Sequence, residues 1–493
     1  MSFQSFTFAA FLAAAVGGFY AVPKKGRLAV LLIFNILFFE WADPFAGIWL
    51  LSSVCLTWGC ALLVEKGADR TKRRLLIGAC LSFQLILLAV FKYLPVWNEI
   101  INKTYGRGLQ IVHLDVAAKF GLVAPIGISF YTLEAIGYLI DVSRGKYPAE
   151  KSFWRFAAFL SFFPNIMSGP IERGDHFLGQ LREITEKKRR ELLNYDRVMQ
   201  GLIAMLLGYG MKLIVAQRAE ILVNQVYSMY QDANSFTMLM AALFYAVQIY
   251  CDFGGYSYIA IGSAKVLGFR LMDNFKAPYL AVSVHDFWRR WHISLTSWFT
   301  DYLYIPLGGN RKGKLRKYLN VMIVFLVSGL WHGADWTYVI WGGINGLYMV
   351  IEEVTGYRKK AVRLAEKSLS YRIFAGILTF ALVDFSWLFF RASSLDDVVG
   401  MLRQIKAVPG FHRLFGAVFA GMEPSLLLAV TLALLLMWQV DRLLYREKNA
   451  AMLVLSQGWF ARYLVYGGLL LFILLFGVYG YEYAQTAFIY FQF

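Results

Sequence analysis

Residues 328–336 read Ser328-Gly329-Leu330-Trp331-His332-Gly333-Ala334-Asp335-Trp336. They interrupt an apolar run from Val321 to Ile351 in which His332 is the only histidine. One continuous helix over that run would be about 46 Å long, against a bilayer core of about 30 Å. A steeply tilted span, or two helices meeting at Gly329 and Gly333, fits better than one straight helix. A broken helix at membrane depth is tolerated only where protein or a water-filled cavity surrounds its backbone. An ionisable side chain at that depth marks a functional position by default. The plainer reading is a histidine at a helix end, satisfied by a neighbouring carbonyl.

The rest of the composition agrees with a membrane setting. The 493 residues are 58% hydrophobic and 17% aromatic, with 16% charged and a mean hydropathy of +0.52. A soluble chain usually carries about 25% charged residues. Long apolar stretches recur from end to end, so the expected fold class is an all-α polytopic membrane protein of about 11–12 spans. The net charge of +17 sits in short clusters between the spans: Lys24-Lys25-Gly26-Arg27, Lys72-Arg73-Arg74, Lys187-Lys188-Arg189-Arg190 and Arg311-Lys312-Gly313-Lys314. Such clusters set topology and meet anionic headgroups. No soluble basic domain exists to hold nucleic acid. Cys55, Cys60, Cys80 and Cys251 lie in apolar runs without ligand spacing, so neither a disulfide framework nor a metal cluster is expected.

Taken in order, apolar spans fall near 5–22, 28–42, 45–64 and 75–94. Basic loops alternate with the turn at Ala42-Asp43-Pro44, which carries no Lys or Arg, and this puts the first and third loops in the cytoplasm and loop 95–115 outside. The apolar stretch Phe6 to Val22 precedes its basic residues, which favours an uncleaved span with its start outside over a signal peptide. Pro125 and Gly127 suggest a kink in the span at 117–140, where Glu134 caps or pairs near the helix end. Residues 152–168 are apolar, and the charged stretch from Gly169-Pro170-Ile171-Glu172-Arg173 to Arg197 suits helices at the membrane surface. Further spans lie near 200–216, 236–262, 371–390, 414–440 and 461–480. Asp252, beside Gly254 and Gly255, predicts a break or a polar cavity wall.

Residues 283–309 are the second unusual stretch. On a helix, Val284, Trp288, Trp291, Leu295, Trp298 and Tyr302 form an apolar stripe. His285, Arg289, His292 and Thr296 form a polar stripe at the same spacing. This helix belongs at the interface or along a funnel, with an aromatic-belt anchor as the plainer alternative. The turn Pro306-Leu307-Gly308-Gly309 leads from it to the basic loop. A neutral imidazole, as His292 or His332 would be over much of the physiological range, can take the proton of a hydroxyl attacking an acyl group. Metal-ligand spacing, a GxSxG elbow and phosphate-binding glycine motifs are all lacking. Residue chemistry alone leaves a histidine-based intramembrane enzyme or a transporter.

Arg290-Trp291-His292-Ile293-Ser294-Leu295, Tyr304-Ile305-Pro306-Leu307-Gly308-Gly309-Asn310-Arg311 and Leu330-Trp331-His332-Gly333 occur in that order. The set resembles the membrane-bound O-acyltransferase (MBOAT) family, and most closely its bacterial alginate O-acetyltransferase branch. Pro125-Ile126-Gly127-Ile128-Ser129-Phe130-Tyr131, Gly169-Pro170-Ile171-Glu172-Arg173, Asp252-Phe253-Gly254-Gly255-Tyr256-Ser257 and Phe389-Phe390-Arg391-Ala392 extend the resemblance over nearly the whole chain. It implies one membrane-embedded domain over 1–493. N-terminal helices (1–115), a motif-bearing core (116–356) and C-terminal helices (357–493) surround a central tunnel with broken and re-entrant helices. It also implies His332 and His292 as catalytic residues, with Trp331, Arg289, Arg290, Asn310 and Arg311 toward the substrate.

The reaction implied moves an acyl group, acetyl in this branch, from a cytoplasmic thioester to hydroxyls of an extracytoplasmic polysaccharide, in the bacterial plasma membrane. No cofactor is permanently bound. Acetyl-CoA or an acyl carrier serves as co-substrate. An extracytoplasmic SGNH-type acyltransferase or an acyl carrier protein is the implied partner. D-alanyl transfer to teichoic acid, and transport of a polysaccharide or lipid-linked sugar without chemistry, are the alternatives.

Overall fold

The computed structural model describes residues 3–42, 46–67, 69–105, 125–167, 169–186, 193–407 and 424–479. Several expectations fall outside them: the turn residues 43–44, loop residues 106–115, the start of the 117–140 stretch, the basic cluster at 187–190, residues 414–423 and the tail beyond Tyr479. The described residues form helices joined by turns and irregular segments, with no β-strand among them. Among the described residues, seven helices are long and apolar enough to cross a membrane: Ala46–Glu65, Arg70–Tyr93, Tyr195–Ser228, Ser235–Leu267, Leu369–Arg391, Ser425–Tyr445 and Trp459–Phe476. Leu470, Leu471, Leu474 and Leu475 stay exposed on the last of these. In a bilayer such side chains are the lipid-facing surface, where burying them in protein gains nothing.

The chain forms two compact units, Met1–Val198 with Ser263–Met272, and Met199–Gly262 with Asp273–Phe493. In the first unit, Gln84 lies between the helices Ala46–Glu65 and Arg70–Tyr105. Its amide exchanges hydrogen bonds with Ser53 and donates to Thr57 Oγ1 at 2.9 Å. Helices that share an apolar solvent use such polar contacts to choose each other. Glu134 lies inside the helix Ile128–Ser143 and not near its end; its Oε1 accepts from Asn165 Nδ2 and from the Glu172 N–H, both at 2.9 Å. Residues 263–272 are held by Phe269, stacked on Phe177 at 5.1 Å, and by Met272, whose N–H donates to Glu172. Arg27, read as a topology determinant, is buried and donates to Ile184 O at 2.8 Å.

The apolar stretch beginning at residue 152 holds the short helices Phe153–Leu160 and Phe163–Ile166. Two expectations are corrected here. Pro125 to Gly127 opens a helix instead of kinking one. The helix Ile128–Ser143 starts after Gly127, whose φ is +73°. Asp252 marks no break, because the helix Ser235–Leu267 runs through it and its carboxylate pairs with Lys212. Lys212 sits in the wide π-helical turn Gly210–Ala216, a feature with no signature in residue type.

In the second unit the helices Lys314–His332 and Trp336–Val354 form a hairpin. A Cβ on Gly329 would stand 2.3 Å from Tyr338 O, and one on Gly342 2.3 Å from Phe325 O. Only glycine at both positions lets the two backbones approach so closely. The chain therefore breaks at His332–Asp335, while Gly329 stays helical.

Candidate active site

His332 is the last residue of its helix, followed by Gly333 in extended conformation. Its side chain is buried, with only 4% of the residue exposed. Its ring centroid lies 4.8 Å from Trp331, 5.2 Å from Trp341 and 5.2 Å from Phe390. The hairpin turn, placed by the two glycine contacts, thus holds the imidazole in an aromatic box.

His292 reaches the same region by a different device. Residues 283–309 are not one amphipathic helix. They form Val284–Trp288, Ile293–Phe299 and the π-helical turn Thr300–Tyr304. The break comes at His292, whose φ of +44° and ψ of +53° are left-handed. A β-substituted residue holds that conformation only when its surroundings demand it. Asn274 makes the demand. Its carbonyl oxygen accepts from the Ile293 N–H at 2.9 Å. Its Oδ1 accepts from Ser294 Oγ at 2.7 Å and lies 3.1 Å from His292 Nδ1, while its Nδ2 donates to Ser257 Oγ at 3.1 Å. With Oδ1 as acceptor, Nδ1 of His292 carries the hydrogen and Nε2 presents a lone pair. Burial pushes His292 down to about 3, so the imidazole is neutral. Phe253 packs at 4.7 Å against its ring and Trp331 at 6.4 Å.

A cavity of about 360 Å³ touches both histidines. Lys317, Tyr318, Val321, Val324, Phe325, Ser328 and His332 supply one wall. Their spacing is a single face of the Lys314–His332 helix. From Lys317 to His332 that wall climbs about 22 Å, and the cavity changes character along it. Around His332 the lining is Trp341, Trp387 and Phe390; around Lys317, about four turns away on the helix, it is Glu353 and Arg358, with His285 and Arg289 beside them. Burial, and after it the charges of Arg358 and Arg289, push His285 down to about 4.

Of the residues expected at the site, His332, His292, Arg289 and Asn310 line this cavity. Trp331 packs on both imidazoles but is not among the lining side chains. Arg290 turns elsewhere. Its Nε donates to Asp286 at 2.9 Å, its Nη1 to Lys276 O, and it covers the Tyr445 ring. Arg311 is exposed in the turn after Gly309, with its N–H donating to Gly308 O. Both stripes of the 283–309 segment contribute lining, because the break at His292 brings Trp288, Trp291 and Leu295 round with His285, Arg289 and Thr296. Sequence reading missed Asn274, Lys317, Glu353 and Arg358. Lys317 could have been found, since it shares a helical face with His332. Asn274 could not, because its role comes from backbone folded across a distant helix start.

The model of the membrane-bound O-acyltransferase family matches residues 142–374. A protein of Pseudomonas syringae pv. tomato named "probable alginate O-acetylase" is 35% identical over 414 residues, 83% of this chain and 73% of its own. One of the same name from Pseudomonas putida is 34% identical, covering 79% of this chain and 77% of its own. A peptidoglycan O-acetyltransferase of Helicobacter pylori is 29% identical, covering 73% and 70%.

Proposed function

Because this chain belongs to the membrane-bound O-acyltransferase family and is a multi-pass membrane O-acetyltransferase, we propose that His332 is its general base and that the cavity below it receives the acetyl donor. The donor is a cytoplasmic acetyl thioester, and the acceptor is a hydroxyl of a polysaccharide outside the bacterial plasma membrane. The observation that carries this reading is the placement of His332 at the inner, aromatic end of a cavity whose other end is basic.

The chemistry follows from that placement. A hydroxyl is a poor nucleophile until a base takes its proton. The neutral imidazole of His332 takes it as the oxygen attacks the thioester carbonyl. The tetrahedral intermediate collapses, the C–S bond breaks, and the imidazolium returns the proton to the departing thiolate. The Trp341, Trp387 and Phe390 walls keep water from competing with the hydroxyl. His292, neutral and with Nε2 as an acceptor, orients a donor-side N–H or the attacking hydroxyl. Arg289 and Asn310 meet the donor at the mouth. An SGNH-type protein outside completes delivery where the polymer cannot reach His332 itself.

The test uses membranes or purified protein supplied with labelled acetyl-CoA and the exported polymer. His332→Ala is expected to insert normally and to lose acetyl transfer. Full acetylation by that variant removes His332 from the reaction. Recovery of D-alanine instead of acetate from the polymer of a producing strain overturns the donor assignment.

A further inference from the structure

Attack on a thioester turns its carbonyl oxygen into an oxyanion, and fast acyl transfer needs hydrogen-bond donors aimed at that oxygen. Neither histidine supplies one. His332 is occupied as the base, and His292, with its hydrogen on Nδ1, has no N–H left for an anion. Several other donors around the cavity are committed. Thr296 donates to Trp291 O and Thr300 to Thr296 O. The indole of Trp288 donates to Asn345 Oδ1 at 3.3 Å, and that of Trp387 lies toward the Tyr279 hydroxyl.

Trp341 and Ser328 differ from these. Trp341 is 1% exposed, and its indole nitrogen is buried without a hydrogen-bond partner among the described residues. Ser328 is buried and lines the cavity. Its hydroxyl does not return to the helix backbone, as those of Ser297 and Ser386 do, and has no hydrogen-bond partner among the described residues. Both side chains border the base. The Trp341 ring meets His332 at 5.2 Å and 88°, edge to face. Ser328 precedes His332 by one turn on the same helix face, about 6 Å along the axis. A buried donor left without an acceptor is costly, and a substrate oxygen in this cavity is the acceptor both lack.

We propose that the indole N–H of Trp341 and the hydroxyl of Ser328 form the oxyanion site of the transfer. The inference rests on the acyltransferase reading and adds two catalytic residues to it. As the acceptor oxygen bonds to the acyl carbon, His332 takes its proton and the carbonyl π pair moves onto oxygen, where the two hydrogen bonds meet the charge. When that pair returns, the C–S bond breaks with its electrons on sulfur, and the imidazolium protonates the thiolate. Both donors are neutral, so no uncompensated charge is buried at membrane depth while the site is empty. Ser328 adjoins Gly329 and Trp341 adjoins Gly342, the two glycines at which the hairpin backbones meet. Base and donors are therefore held by one close-packed pair of helices, the fixed geometry that such stabilisation requires.

The experiment uses the full chain in nanodiscs with labelled acetyl-CoA and the exported polymer. Trp341→Phe keeps a ring and removes the N–H; Ser328→Ala removes the hydroxyl; Ser328→Thr keeps it. The first two are each expected to lower kcat by roughly a hundredfold. Acetyl-CoA affinity by calorimetry, the unfolding midpoint and the pH profile of kcat should stay as in the wild type, and Ser328→Thr should recover most of the rate. A second readout needs no turnover. Trifluoroacetonyl-CoA, a ketone whose hydrate carries a tetrahedral carbon, is compared with acetonyl-CoA, whose carbonyl stays planar. The wild type is expected to bind the former at least roughly tenfold more tightly, and Trp341→Phe and Ser328→Ala to bring that ratio toward one. Wild-type kcat in either variant removes that residue from the site. A raised KM at unchanged kcat makes it a ground-state contact and overturns the oxyanion role. A lowered unfolding midpoint with the analogue ratio unchanged makes the loss structural and overturns it as well. A wild type that transfers acetyl but shows no preference between the analogues rejects the oxyanion site alone, whereas one that binds both and transfers nothing rejects the acyltransferase reading.

Discussion

At the scale of single residues, the site depends on how two imidazoles are held. His332 is positioned by a helix end and by rings, whereas His292 is positioned by hydrogen bonds through Asn274. Asn274→Leu removes the acceptor at Oδ1 that serves His292 Nδ1 and Ser294, and the hydrogen bond that Nδ2 donates to Ser257. If about 1–3 kcal/mol of buried hydrogen bonding is lost from the positioning of His292 in the transition state, transfer is expected to fall by roughly fivefold to 150-fold. Asn274→Asp, which still accepts at Oδ1, is expected to recover part of that loss; product formation at saturating donor measures both.

The burial of His292 gives a second prediction at this scale. Its folded-state pKa lies below the ordinary histidine value, so between about pH 3 and 6.5 the unfolded chain binds the extra proton. Stability is therefore whole above that window and falls as pH drops through it, by at most about 1.4 kcal/mol per pH unit from this group. Thermal unfolding in detergent between pH 7.5 and 5 is expected to show a shallower decline for His292→Gln than for the wild type. A slope unchanged by the substitution would show that His292 titrates normally.

At the scale of elements, the hairpin of Lys314–His332 and Trp336–Val354 decides where the imidazole stands. Its two close approaches tolerate no side chain. Gly342→Ala is expected to force the helices apart at Phe325, with a loss of about 1–3 kcal/mol as for other overpacked sites and reduced transfer. Gly343→Ala is the contrast. Its added Cβ would meet Leu326 Cδ2 at an ordinary 3.7 Å, so alanine's better helix propensity leaves stability equal or slightly higher. Unfolding midpoints of the two variants check the pair. The 283–309 segment carries the opposite lesson. Its periodicity is helical, yet the tertiary hydrogen bonds of Asn274 outweigh it at one residue and bend it around the cavity.

At the scale of the whole chain, polarity across the membrane gives the site its direction. On the proposed reading, the positive-inside rule expects the basic turn before Lys314 inside and the His332–Asp335 turn, one helix later, facing the other way. In a cysteine-free background, a cysteine at Lys312 should react with an impermeant maleimide only in inverted vesicles. One at Trp336, which is exposed in the structure, should react only in intact cells or right-side-out vesicles. Reaction of both from the same side would place the two ends of that helix in one compartment and end the proposal of transfer across the bilayer.

The membrane class, the helical character and the two histidines were all legible in the order of residues. Hydropathy and charge act locally there, because a bilayer imposes the same length and polarity rule on every span. The break in the 321–351 run was legible for the same reason. What residue order left open were features set by contacts between segments far apart in the chain. Of the break or polar cavity wall expected at Asp252, the break is answered by a continuous helix, and the Asp252 carboxylate pairs with Lys212. The departure of Arg290 toward Asp286 and Tyr445 took it out of the cavity. Asn274 became the residue that aims His292, and Glu353 the counter-ion of two cations. Each of these is a choice among partners of similar chemistry. Composition and spacing do not rank such partners, and only packing brings one of them within about 3 Å, where a hydrogen bond or ion pair forms.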